Sequence, residues 1–168
     1  MNYMIDTNII LDVMLDRKEF SERSRIVLQL CEDSMIHGFI SSSTATDIFY
    51  LVRKALKSTD AAYSALGHIL NITRVLTVTN NDITSAFLQK AHDFEDCLLA
   101  TCARSNNCDG IITRNKKDFS AFDIPSYTPE EIISILSGNK KFEHAIKNAE
   151  KRLQKYRVAL TAQQYFYQ

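Results

Sequence analysis

Apolar residues fall into short continuous runs that alternate with longer stretches of helical spacing, and that alternation predicts the fold class. Tyr3-Met4-Ile5 is a run of the first kind. It stops on Asp6-Thr7-Asn8, after which Ile9, Ile10, Leu11 and Val13 resume with helical spacing, so the chain opens as strand, turn, helix. A second helix is predicted over 21–35, with Ile26, Val27, Leu30 and Cys31 as its buried face, then a strand at Phe39-Ile40-Ser41 and a helical stretch over 42–57. Residues 59–72 read as an amphipathic helix capped by Thr59 or Asp60, with Ala62, Leu66, Ile69 and Leu70 turned inward. The β-branched run 75–79 is a strand, two helices fill 82–106, and Gly110-Ile111-Ile112-Thr113 is a further strand between turn-forming residues.

Continuous apolar strands separated by helices are the mark of a parallel sheet covered on both faces, hence an α/β domain of three layers, α/β/α. Thr128-Pro129-Glu130-Glu131 is a helix start in which Thr128 caps, Pro129 suits the first helical position and Glu131 completes a capping box. Gly138 is expected to end that helix. Beyond it, residues 139–164 form a charged helical stretch with Phe142, Ile146, Ala149, Leu153 and Tyr156 three and four apart. The predicted organisation is therefore one domain over 1–138 and a helical extension over 139–168.

A length of 168 residues with 45% hydrophobic content suits one sizeable core. Net charge is zero, but residues 139–168 hold seven Lys/Arg against two Asp/Glu, which leaves the first 138 with 13 against 18. No apolar run reaches the ~18 residues of a membrane span, and the opening residues lack the pattern of a signal peptide, so a soluble, cytoplasmic protein is expected, with no membrane partner. Cys31, Cys97, Cys102 and Cys108 include no C-x-x-C pair and read as reduced thiols. His37, His68, His92 and His144 show no pairing suited to acid–base catalysis. Four glycines form neither G-x-G-x-x-G nor a P-loop.

Candidate chemistry rests on carboxylates. Asp6 ends the first strand, where open parallel sheets bind ligands, although an Asp there also serves simply as a helix cap. Asp47 lies early in a helix that follows a strand, Asp93, Glu95 and Asp96 crowd a helix start, and Asp118 follows the strand ending at Thr113. First-turn acids are favoured by the helix dipole alone. Several at one sheet edge repel one another unless a cation compensates them, and hard oxygen donors favour Mg²⁺ or Mn²⁺. Arg114, Lys116 and Lys117, with Arg53 and Lys54, are cations that could steer phosphate or merely decorate a solvated surface. Asp12 either contributes from the first helix or faces solvent.

Met4-Ile-Asp-Thr-Asn-Ile-Ile-Leu-Asp12, Asp96-Cys-Leu-Leu-Ala-Thr and Ile112-Thr-Arg-Asn-Lys-Lys-Asp-Phe resemble the motifs of PIN domains, over residues 1–137. PIN domains of this kind include the toxin nucleases of VapBC-type toxin–antitoxin pairs. The resemblance implies a Mg²⁺- or Mn²⁺-dependent endoribonuclease leaving a 5′-phosphate, with catalytic Asp6, Asp47, Asp96 and Asp118 and with metal held by Asp6, Asp96 and Asp118. Thr7, Asn8, Thr113, Arg114 and Asn115 would support the site or bind substrate. It also implies RNA, an antitoxin and a second copy of the chain as partners. The departure is Asp47, where the family usually has Glu, one methylene longer. A non-catalytic module that binds RNA or protein is the alternative within the fold. An aspartyl-phosphate phosphatase is the alternative outside it, disfavoured because Asn8 stands where that chemistry wants a second Asp.

Overall fold

A computed structural model describes residues 1–137 together with Phe142 and Lys147. Its order of elements is β1 (Asn2–Ile5), α1 (Thr7–Met14), α2 (Ser21–Glu32), β2 (His37–Ser41), α3 (Ser42–Leu56), α4 (Thr59–Ile72) and β3 (Arg74–Leu76), then α5 (Asn80–Gln89), α6 (Phe94–Ser105), β4 (Gly110–Ile112), α7 (Lys116–Phe119), β5 (Ser126–Tyr127) and α8 (Pro129–Ser137). The strands form one sheet in the order β3-β2-β1-β4-β5, every pairing parallel. Crossover helices therefore cover both faces, and the predicted three-layer α/β/α architecture is what the chain adopts.

The period of two along a strand assigns each apolar side chain to a layer. Tyr3 and Ile5, Ile40 and Ile112 enter the larger core, with α1, α2, α3, α4 and α8 around them. Met4, Phe39 and Ile111 point to the opposite face, against α6, Phe119 of α7 and Ile124. The short β1 is buried on both sides, which is why its sequence is continuously apolar rather than alternating. Phe142 also packs into the larger core.

Several boundaries differ from expectation. The strand expected over 75–79 is Arg74–Leu76, because its ladder with β2 ends at Ser41↔Leu76 and the Val78 N–H turns to Ser42 Oγ, after which Thr79 caps α5. Ser58 rather than Thr59 or Asp60 caps α4, its Oγ accepting from the Ala61 N–H. Leu70, expected inward, is 45% exposed because the buried stripe of α4 runs through Ala62, Ala65 and Ile69. The helix expected over 21–35 stops at Glu32, where Ser34 takes a positive φ. The capping box at Thr128 and Glu131 forms in both directions. Gly138 and the stretch beyond it, apart from Phe142 and Lys147, lie outside the described residues, and with them the boundary expected at 138.

Two substitutions check this packing. Ile40→Ala, at a fully buried position, should lower the unfolding free energy by about 2–5 kcal/mol. Leu70→Ala should change it by no more than about 0.5 kcal/mol. Chemical denaturation of the two variants beside the wild type measures both.

Candidate active site

Six residues from three parts of the chain, Asp6 and Asn8, Asp96, and Thr113, Asn115 and Asp118, meet where β1 and β4 end. The Asp6 N–H still extends the sheet by donating to the Ile112 carbonyl, and its extended backbone then turns the chain into α1. Only 7% exposed, the Asp6 carboxylate accepts from Thr113 Oγ1 at 2.6 Å and from Asn8 Nδ2 at 2.5 Å, both on Oδ2. Oδ1 has a long contact from the Asn8 N–H, 3.4 Å. Asp6 is thus the helix cap that the sequence allowed, yet the cap bond from the Asn8 N–H is longer than the side-chain bonds from Thr113 and Asn8.

Asn8 ties the neighbouring loop to this carboxylate. Its Nδ2 also donates to Thr113 Oγ1, and its Oδ1 accepts from the Arg114 N–H. Thr113 Oγ1 in turn accepts from the Asn115 N–H, and Asn115 Nδ2 donates to Asp118 Oδ2 at 2.6 Å. A continuous polar chain therefore runs from Asp6 through Thr113 and Asn115 to Asp118.

Asp96 approaches from the first turn of α6. Asp93 caps that helix by accepting from the Glu95 and Asp96 N–H groups. Partial burial, then the negative charges of Asp93, Asp6, Asp118 and Glu95, push the Asp96 carboxyl up to about 7. Burial also raises Asp6, against the lowering effect of its hydrogen bonds, with Asp118 adding to the rise. Burial raises Glu95 too, followed by Asp47, Asp93 and Asp6, and burial alone raises Asp47. Asp6 after β1, Asp93 and the α6 acids Glu95 and Asp96, and Asp118 of α7 thus act on one another, and Asp47 of α3 joins them through Glu95. Among the described residues, however, no three His, Cys, Asp or Glu side chains stand close enough to form a ready-made metal cage.

Some assignments change. Glu95 is exposed yet belongs to this field, since the charges of Asp47, Asp93 and Asp6 add to burial in raising its carboxyl. Only the run of acids at 93–96 hinted at it. Asp93 is a cap. Asp12 does not face solvent: it is fully buried, and six residues on it sits about 9 Å further along the helix than Asp6. Arg114 turns to that buried acid, with Nε 3.1 Å from Asp12 Oδ2 and its guanidinium 4.1 Å over the Phe20 ring. Lys116 is paired with Glu131 at 2.8 Å, which leaves Lys117, Arg53 and Lys54 as the exposed cations of the set. His37, His68 and His92 are exposed and lie outside the network; His144 lies outside the described residues. Burial pushes the thiols of Cys31 up to about 12 and of Cys102 and Cys108 up to about 11, as inert thiols require.

A family model described as PIN domain matches residues 2–117. The fold is similar to a chain of a toxin–antitoxin complex from Klebsiella pneumoniae, at 22% identity and a TM-score of 0.54, covering 76% of this chain and 97% of that one. No curated protein matches.

The crowding has a measurable sign. A carboxyl that is ionised when unfolded but still protonated when folded loses stability as pH rises between those two pKa values. For Asp96 that window runs from the ordinary value of 3.8 to about 7. Asp96→Asn should therefore raise the melting temperature at pH 7.5 and raise it less at pH 4, by roughly 2–4 °C for each kcal/mol of repulsion relieved. Melts at the two pH values decide it.

Proposed function

The chain belongs to the PIN-domain family, and from that premise we propose that it is a Mg²⁺- or Mn²⁺-dependent endoribonuclease, a VapC-like toxin acting in the cytoplasm. The observation that carries the reading is Asp96, pushed up to about 7 by the acids around it. A site that crowds carboxylates at the carboxyl edge of a parallel sheet is electrostatically incomplete until a cation joins it.

The donors fit such an ion. Asp6 and Asp96 offer hard carboxylate oxygens, and Asp96 lies in an unneutralised negative field. Mg²⁺ commonly takes only one or two carboxylates and keeps water or phosphate oxygens for the rest, so a preformed three-ligand cage is not required. Asp6 and Asp96 would hold the metal, with Asp118 completing the set directly or through water. When bound, the ion supplies a water deprotonated near neutral pH and compensates charge on the phosphate.

The protein's own part is positioning. Thr113 and Asn8 hold the Asp6 carboxylate in one orientation, and Asn115 holds Asp118. Asp47, one methylene short of the Glu usual in the family, has Glu95 as an electrostatic neighbour, so the two together supply charge at that edge. Lys117, Arg53 and Lys54 are the cations available to an incoming RNA backbone. The likeness to a chain of a toxin–antitoxin complex supports an antitoxin as protein partner, and a second copy of the chain accords with the family.

Asp6→Asn and Asp96→Asn should each reduce Mn²⁺-dependent cleavage of a mixed RNA pool by about 100-fold or more, and EDTA should abolish it in the wild type. Absence of cleavage by folded wild-type protein at any Mg²⁺ or Mn²⁺ concentration would contradict the enzyme reading in favour of the binding module. Asp47→Glu then becomes the informative variant, since restored cleavage would locate the defect in the missing methylene.

A further inference from the structure

Asp12 is the one fully buried carboxylate of α1, and nothing in the proposed chemistry uses it. Burying a charge is costly unless it is paired and hydrogen-bonded. Its partners come from three places: Ser24 Oγ of α2 donates to Oδ2 at 3.1 Å, Arg17 approaches Oδ1 at 3.4 Å, and Arg114 Nε lies 3.1 Å from Oδ2. Arg114 comes from the loop after β4, 102 positions along the chain, and it is the residue between Thr113 and Asn115.

That loop is held at two points. The Arg114 N–H donates to Asn8 Oδ1 at 3.2 Å, beside Asp6. The Arg114 side chain runs to Asp12, where Phe20 supports the flat face of the guanidinium. Its Nε meets Oδ2 at ion-pair distance without the alignment of a hydrogen bond, so charge rather than direction dominates the contact. Thr113 and Asn115, flanking Arg114, make the bonds that orient Asp6 and Asp118.

We propose that Asp12 is a positioning residue of the carboxylate site: through Arg114 it anchors the loop of residues 113–118, and so sets how tightly the site takes a divalent cation. The inference rests on the metal-dependent reading above. It separates Asp12 from residues that serve stability alone, because its effect must reach Asp6 and Asp118.

The test is Mn²⁺ binding followed by electron paramagnetic resonance, well below the melting temperature, on wild type, Asp12→Asn, Arg114→Lys and the double variant. Arg114→Lys keeps the buried charge balanced but loses the planar fork, so it carries the test should Asp12→Asn fail to fold. The expected result is binding weakened about tenfold in each folded single variant, with little further loss in the double, as for groups that orient metal ligands from behind. A lowered melting temperature with unchanged Mn²⁺ affinity in the folded variants would overturn the positioning role while leaving the metal reading intact. A wild type that binds no Mn²⁺ would overturn the metal reading and this inference together.

Discussion

The structure turns on one buried carboxylate. Asp6 ends the central strand, and its Oδ2 is fastened by Thr113 and Asn8, two residues that reach it from a different strand end and from its own helix. The sheet order makes this possible. Because β1 lies between β2 and β4, the loops after β1 and β4 emerge side by side, and residues over 100 apart in sequence meet at hydrogen-bond distance. Placing the acid on another strand would leave it without those donors.

From that constraint the electrostatics follow. Once Asp6 is fixed and mostly shielded from water, every further acid aimed at the same edge is held against repulsion, and Asp96 bears most of the consequence. Stability is spent to maintain this arrangement, a pattern expected of functional rather than structural sites. Asp12, buried further along α1, is paired with Arg114, Arg17 and Ser24, yet burial outweighs these partners and raises its carboxyl. Asp12 has cations beside it, whereas the charges that act on Asp96 are all those of other acids.

Much of this was legible from spacing alone. The continuous apolar runs at Tyr3-Met4-Ile5 and Ile111-Ile112 announce strands buried on both faces, and Asp6 and Asp118 after them are the acids expected at that edge of the sheet. β5 escaped notice because two residues are too few to show a period, and α7 because one turn of helix among polar residues resembles a loop. The sequence leaves Arg114 and Lys116 either steering phosphate or decorating a solvated surface, yet each is engaged with an acid, Asp12 and Glu131, remote in sequence. No local pattern signals a partner 102 residues away. Leu70 departs for another reason: its apolarity suggests the buried face of α4, but the stripe set by Ala62, Ala65 and Ile69 turns it outward.

The most direct measurement of the central claim is a carbon-13 carboxyl titration of Asp96 by nuclear magnetic resonance, with and without Mg²⁺. An apparent pKa near 7 in metal-free protein, falling by at least about one unit when Mg²⁺ is present, is the result this account requires. An ordinary carboxyl value that Mg²⁺ leaves unchanged would contradict it, because the crowded acids would then neither feel one another nor await a cation.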